Sequence, residues 1–206
     1  MDAKFVFFDL GNVLVNFDHE IAVRQLAERT ERTAERVRDV VFKSGLQNRY
    51  ETGLVTSQEF ASIVSRELQC NTSTQDILEA ISAIFQPNES ILDVLEFLQS
   101  SNISMGILSN TCHAHWQWLE LQSWPVLGSW FDPRILSFEV CSMKPDAQIY
   151  QCCEQATGRR GAEIFFMDDR IENVTSAAQR GWVARQYRQT DELLEQLREW
   201  LQMGSS

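Results

Sequence analysis

The chain has 206 residues, 44% of them hydrophobic and 23% charged, a globular composition that excludes a largely disordered polymer and leaves room for one domain or for a core carrying an insertion. A formal net charge of −11 with no run of Lys or Arg argues against nucleic acid and anionic membranes as partners, so any bound phosphate must be held by local groups. No segment is apolar for long enough to span a bilayer, no signal peptide is visible, and the five cysteines form no CxxC pair, which together lead us to expect reduced thiols and a cytoplasmic address.

The first predicted element is a buried strand over residues 4–8, an aromatic-rich apolar run too short for a helix and ended by Asp9-Leu10-Gly11-Asn12. From about Phe17 to Gln86 the sequence turns helical, with amphipathic segments at Ile21–Arg29, Glu35–Phe42 and Ser57–Leu68 and no convincing strand, until Pro87 closes the stretch. Such an insert reads as a small all-helical lobe over residues 17–86, a lid for a core made of residues 1–16 and 87–206.

Beyond it the pattern alternates. A helical repeat at Ile91, Val94, Leu95 and Leu98 precedes a strand over Ile103–Leu108 that ends in Ser109-Asn110. Another strand over Ile164–Met167 ends in Asp168-Asp169, a short one covers Trp182–Ala184, and Leu193, Leu194, Leu197 and Leu201 mark a last helix. Strands alternating with helices predict an α/β fold with a Rossmann-like parallel sheet covered on both faces, and in such sheets ligands bind beyond the carboxyl ends of the strands, where these polar clusters fall.

Four clusters stand in a telling order: Phe8-Asp9-Leu10-Gly11-Asn12-Val13, then Leu108-Ser109-Asn110-Thr111, then Lys144-Pro145, then Phe166-Met167-Asp168-Asp169 with Asn173 beyond. Together they resemble the haloacid dehalogenase (HAD) superfamily of hydrolases with a helical cap inserted after the first strand. The resemblance spans almost the whole chain, and the DLGNV form is similar to a bacterial subgroup that includes glucose-1-phosphate phosphatases.

It implies that Asp9 is a nucleophile, transiently phosphorylated, for which a carboxylate needs no activating base. It implies that Ser109, Asn110 and Lys144 grip the phosphoryl group, with Ser109 and Lys144 also counted in the catalytic set. Asp168 and Asp169 beside Asp9 concentrate negative charge that is costly without a cation. Mg²⁺ answers that need, with Asp9, the carbonyl of Gly11, Asp168 and Asp169 as ligands by resemblance and Asn173 behind them. The implied substrate is a small phosphorylated metabolite, a sugar phosphate and in the first place a sugar 1-phosphate.

One position departs from the family pattern. Most of its phosphatases carry a second aspartate two residues after the nucleophile as general acid and base; here that residue is Gly11. Losing such help is typically worth about 10²–10⁴-fold, so the sequence implies a slower enzyme, an easier leaving group or a substitute donor, with Asp18 and His19 the first candidates. A 2-haloacid dehalogenase, which also lacks the second aspartate, is the alternative enzyme, although the Asp168-Asp169 pair speaks for a metal. A phosphometabolite-binding protein without turnover is the third reading. His113, His115 and the clustered tryptophans Trp116, Trp118, Trp124 and Trp130 read as capping, exposed or packing residues, and Cys112 as a space-filling thiol.

Overall fold

The computed structural model describes residues 4–203. Its core is a five-stranded sheet with every neighbouring pair parallel, in the order β5 (Phe131–Leu136), β4 (Ser104–Ser109), β1 (Phe5–Phe8), β6 (Ile164–Asp168), β7 (Val183–Gln186). The central strand β1 is buried along its whole length because helices cover both faces, which is why it reads as an unbroken apolar run. Val6 and Phe8 enter one hydrophobic cluster and Phe5 and Phe7 the other, the alternation of a pleated strand.

The expectation of a Rossmann-like parallel sheet with an inserted helical lobe is met. The strand β5 carries Pro133, a residue that argues against a strand in sequence and is tolerated here because β5 lies at the sheet edge.

The lobe contains α1 (His19–Thr30), α2 (Ala34–Arg38), α3 (Leu46–Glu51), α4 (Ser57–Leu68) and α5 (Thr74–Ser82). Its own core is the buried stripes of α1 (Ala22, Val23, Leu26), α4 (Phe60, Ala61, Val64, Leu68) and α5 (Ile77, Ala80, Ile81). Side-chain caps start these helices: Asp18 accepts from the Glu20 N–H, Thr56 and Glu59 form a capping box, and Ser73 accepts from the Asp76 N–H. The segment after α2 does not continue as an α-helix but widens into a π-turn over Asp39–Lys43, a form that recurs at functional sites, and its Phe42 lines the cavity described below.

Two short strands, β2 (Val15–Phe17) and β3 (Phe85–Pro87), pair antiparallel where the chain leaves and re-enters the core. They correct the strand-free reading of this stretch; three residues each are too few to show a period. On the core side follow α6 (Leu92–Ser100), α7 (His113–Glu120), α8 (Ser137–Val140), α9 (Ala147–Thr157), α10 (Ile171–Gln179) and α11 (Thr190–Gln202). Among the described residues no helix is long and apolar enough to cross a membrane.

Candidate active site

The sheet brings the carboxyl ends of β1, β4 and β6 side by side. Phe8 is in register with Ile107 and with Met167, so the next residues, Asp9 and Asp168, emerge as neighbours, with Ser109 one position further along β4. The Asp9 N–H continues the ladder to the Met167 carbonyl at 3.0 Å, which fixes the nucleophile candidate rigidly on the sheet. Above these ends lies a cavity of about 640 Å³ whose floor includes Asp9, Gly11, Ser109, Asn110, Lys144 and Asp169.

Lys144 is the hub of the floor. Its Nζ lies 2.7 Å from Asp9 Oδ1 and 2.7 Å from Asp168 Oδ2, and donates to the Leu108 carbonyl at 2.9 Å. The loop that carries it is pinned by Asn110, whose Oδ1 accepts from the Lys144 N–H at 2.8 Å and whose Nδ2 donates to the Lys144 carbonyl at 2.9 Å. The Asn110 side chain thus positions Lys144 through two hydrogen bonds. Ser109 is buried in the cavity wall, and Cys112, not Ser109 or Asn110, is the cap residue of α7.

Asp168 is fully buried and held from all sides: Asn173 Nδ2 donates to both of its oxygens at 2.9 Å, and the Arg170 N–H donates to Oδ1 at 2.8 Å. Burial opposes its ionisation, but Lys144 and these hydrogen bonds outweigh burial and keep its carboxyl below the ordinary range. Asp9 behaves oppositely: burial and then the Asp168 charge push its carboxyl well up, and the Lys144 charge offsets only part of this. Burial likewise works against the Lys144 charge, yet Asp9 and Asp168 together raise its pKa.

The donor set fits a hard divalent cation. Oxygens of Asp9, Asp168 and Asp169 all lie within 4.8 Å of one another, Asp169 being anchored by a 2.8 Å hydrogen bond from Asn12 Nδ2. One lysine does not balance three carboxylates, and the Asp168 charge adds to burial in pushing the Asp9 carboxyl up. All-oxygen donors with unneutralised charge suit Mg²⁺ rather than a soft metal.

Gly11 lines the same cavity, and its missing side chain has a packing reason. A Cβ there would stand 2.6 Å from Phe17 Cε1 and 3.2 Å from Cδ1, in the ring that packs at a tilt on His19 with centroids 4.9 Å apart. Gly11→Asp is therefore expected to lower stability by about 1–3 kcal/mol through overpacking and to give no gain in turnover, with Phe17→Ala restoring part of the stability. Thermal unfolding of the single and double variants checks this; an undestabilised, faster Gly11→Asp enzyme would contradict it.

The substitutes suggested by sequence fare differently. Asp18 is exposed, caps α1 and does not line the cavity. His19 does line it, packed between the rings of Phe17 and Phe42, and burial lowers its pKa against the pull of Asp18 and Glu20. His115, buried beneath Phe85, is pushed down to about 3 by burial and by His19. His113 is exposed against Phe138. The Cys112 thiol is wholly buried and burial pushes it up, so it is inert packing.

Sequence reading missed the lobe's own polar contribution to the cavity: Gln47, Asn48 and Glu51 of α3. Glu51 has no motif around it, and only the Thr52-Gly53 turn that follows marks the position.

Comparison with known proteins agrees with this architecture. A family model described as haloacid dehalogenase-like hydrolase matches residues 3–181. A HAD-family enzyme from Bacteroides thetaiotaomicron, solved with magnesium and inorganic phosphate, is similar at a TM-score of 0.78 and 25% identity, over 89% of this chain and 92% of its own. A predicted HAD-like family hydrolase from Porphyromonas gingivalis is similar at 0.76 and 23% identity, over 91% of each chain. L-2-haloacid dehalogenase from Xanthobacter autotrophicus shares the fold at 0.61 and 19% identity, over 87% of this chain and 75% of its own.

Proposed function

The chain belongs to the haloacid dehalogenase-like hydrolases, as a phosphoric monoester hydrolase, and from that premise we propose that it is a Mg²⁺-dependent phosphatase of small phosphorylated metabolites, sugar phosphates and foremost sugar 1-phosphates. The observation that carries the reading is the buried constellation of Asp9, Lys144 and Asp168 with Asp169 at the sheet's carboxyl edge. The related Bacteroides enzyme, solved with magnesium and inorganic phosphate, supports the choice of ion and of phosphoryl chemistry.

Asp9, Asp168, Asp169 and the Gly11 carbonyl would hold the ion, which when bound offsets their charge and that of the phosphate. Asp9, fixed by its backbone bond to β6, attacks phosphorus to give an aspartyl-phosphate, and water then releases phosphate. Lys144 and the Ser109 hydroxyl stabilise charge on the phosphoryl oxygens, while the Leu108 carbonyl and Asn110 keep the ammonium aimed. The lobe, residues 17–86, acts as a cap that closes over a small substrate and excludes water, and the β2–β3 ribbon is where it joins the core. The five cysteines, none of them in a disulfide, suit a reducing compartment, and the proposal places the enzyme in the cytoplasm.

Phosphate release should appear with Mg²⁺ across a panel of sugar phosphates, disappear with EDTA, return with added Mg²⁺, and be far slower with a folded phosphoprotein. Full turnover after exhaustive chelation, or chloride release from 2-chloropropionate without phosphatase activity, would overturn the reading. The dehalogenase likeness extends to the fold, whereas the carboxylate cluster favours phosphoryl transfer.

A further inference from the structure

Expelling an alkoxide from a phosphate ester requires a proton at the leaving oxygen, and the later attack of water requires a base. The floor of the cavity offers neither. Asp9 is the nucleophile, Lys144 is paired with two carboxylates, and Asp168 and Asp169 belong to the carboxylate cluster. In line with attack from Asp9, the leaving oxygen points away from the floor, toward the lobe.

We infer that Glu51, the last residue of α3, is the general acid and base of the reaction, an inference that rests on the phosphatase reading above. In the first step the P–O bond to the substrate breaks as Asp9 bonds to phosphorus, and the Glu51 proton moves to the leaving oxygen, giving the free alcohol and a Glu51 carboxylate. In the second, water bonds to phosphorus, its proton returns to Glu51, and the P–O bond to Asp9 breaks to restore the Asp9 carboxylate and release phosphate.

Although Glu51 comes from the lobe, its turn is clamped to the core. Its carbonyl accepts from Ser137 Oγ at 2.6 Å, and the Ser137 hydroxyl oxygen in turn accepts from the Thr111 N–H at 2.9 Å, just beyond Ser109 and Asn110. Thr52 Oγ1, which donates to the Asn48 carbonyl at 2.6 Å, lies 3.0 Å from Met143 Sδ, beside Lys144. Gly53, at φ +73°, approaches the Phe138 carbonyl so closely that a Cβ would stand 2.3 Å from it, so only glycine fits. The neighbouring Tyr50 hydroxyl accepts from the Ala114 N–H at 3.0 Å. Gln47 Nε2 donates to Glu51 Oε1 at 2.8 Å, which orients the carboxyl and leaves Oε2 to carry the proton.

The protonation state suits the role. Burial pushes Glu51 up to about 7, against the smaller opposing effects of the Gln47 hydrogen bond and the Arg170 charge, so both forms are populated at neutral pH. The other groups around the cavity cannot substitute. Burial lowers the pKa of both His19 and His115, which disfavours the imidazolium form a general acid needs, and the Cys112 thiol close to Glu51 is pushed up. Besides Arg170 and the floor carboxylates, Asp146 is the remaining charged group of the wall, and it is exposed.

The test compares wild type with Glu51→Gln, using an alkyl phosphate and 4-nitrophenyl phosphate with saturating Mg²⁺. For the alkyl ester kcat/KM should fall about 10²–10⁴-fold, whereas the aryl ester, whose leaving group needs no proton, should lose less than about tenfold. The aryl ester should also show a burst of nitrophenolate, because dephosphorylation of Asp9 becomes slow. In wild type kcat/KM for the alkyl ester should decline above about pH 7, as the acid form is lost, and this limb should vanish in the variant.

Equal losses for both esters, or a rise in KM alone with the limb intact, would overturn the assignment and leave Glu51 a binding residue. Should Glu51→Gln not fold, wild type alone decides, since a steep dependence of its rate on leaving-group basicity would also overturn it. An active wild type with an unchanged Glu51→Gln removes Glu51 and spares the phosphatase reading; a wild type inactive on every phosphate ester removes both.

Discussion

Replacing Asp9 by Asn is expected to lower phosphate release by about 10⁴-fold or more while leaving the magnesium-free protein as stable as before. The loss follows from the chemistry: an amide oxygen is a poor nucleophile, and no other carboxylate rides on β1 at the point where the ladder to Met167 fixes the attacking group. The stability follows from counting charge. Asp9 is buried beside Asp168, and burial and that neighbour push its carboxyl up, so its ionised form already costs the fold. Asparagine removes this charge at nearly constant size, and Lys144 keeps its 2.7 Å partner in Asp168. The lost attraction and the lost repulsion offset each other to within about 1 kcal/mol. Mg²⁺ should raise the unfolding temperature of wild type and raise that of the variant much less, because binding to the native state stabilises by mass action and one ligand is gone. Near-wild-type turnover would remove Asp9 from the mechanism, whereas a collapse in magnesium-free stability would show that its charge is structural.

The parts of this site that lie on strands were legible because a buried parallel strand has a plain signature. Phe5–Phe8, the run before Ser109 and the run before Asp168 are each too apolar to be anything but interior, and each stops at a polar residue that the sheet must place at its carboxyl edge. The cap's share was not legible. Glu51 sits at the end of a six-residue helix among polar neighbours, and what makes it special is its contact with Ser137, which in turn holds the Thr111 segment, a link that local periodicity does not encode. Closeness in sequence to Asp9 favoured Asp18, yet an aspartate one residue before a helix is most simply its cap, and that is its place. The space beside Gly11 could be understood only once the β2–β3 pairing had brought Phe17 against it.

Lys144→Met should be the most destabilising single change in the site, by about 3–5 kcal/mol in magnesium-free buffer. The ammonium is buried within 2.7 Å of both Asp9 and Asp168, and methionine of similar length removes its charge while the two carboxylates stay in place. For a chain of this size each kcal/mol corresponds to roughly 2–4 °C, so the midpoint should fall by about 6–20 °C. The sign of the pH dependence discriminates this cause from simple mispacking. Without Lys144 the pKa of Asp9, raised already, rises further, and the downward pull on Asp168 is lost. The native state then binds more protons than the unfolded chain, so stability falls as pH rises through the carboxylate range toward the native value. The deficit relative to wild type should therefore be smallest at or below about pH 4, where the carboxylates of the unfolded chain are protonated, and should grow as the pH rises from there. Saturating Mg²⁺ should recover part of it by supplying positive charge to the same oxygens, without restoring the turnover that Lys144 supports at the phosphoryl group. A deficit independent of both pH and Mg²⁺ would mean that the lysine contributes packing only, and the charge balance derived for this floor would be wrong.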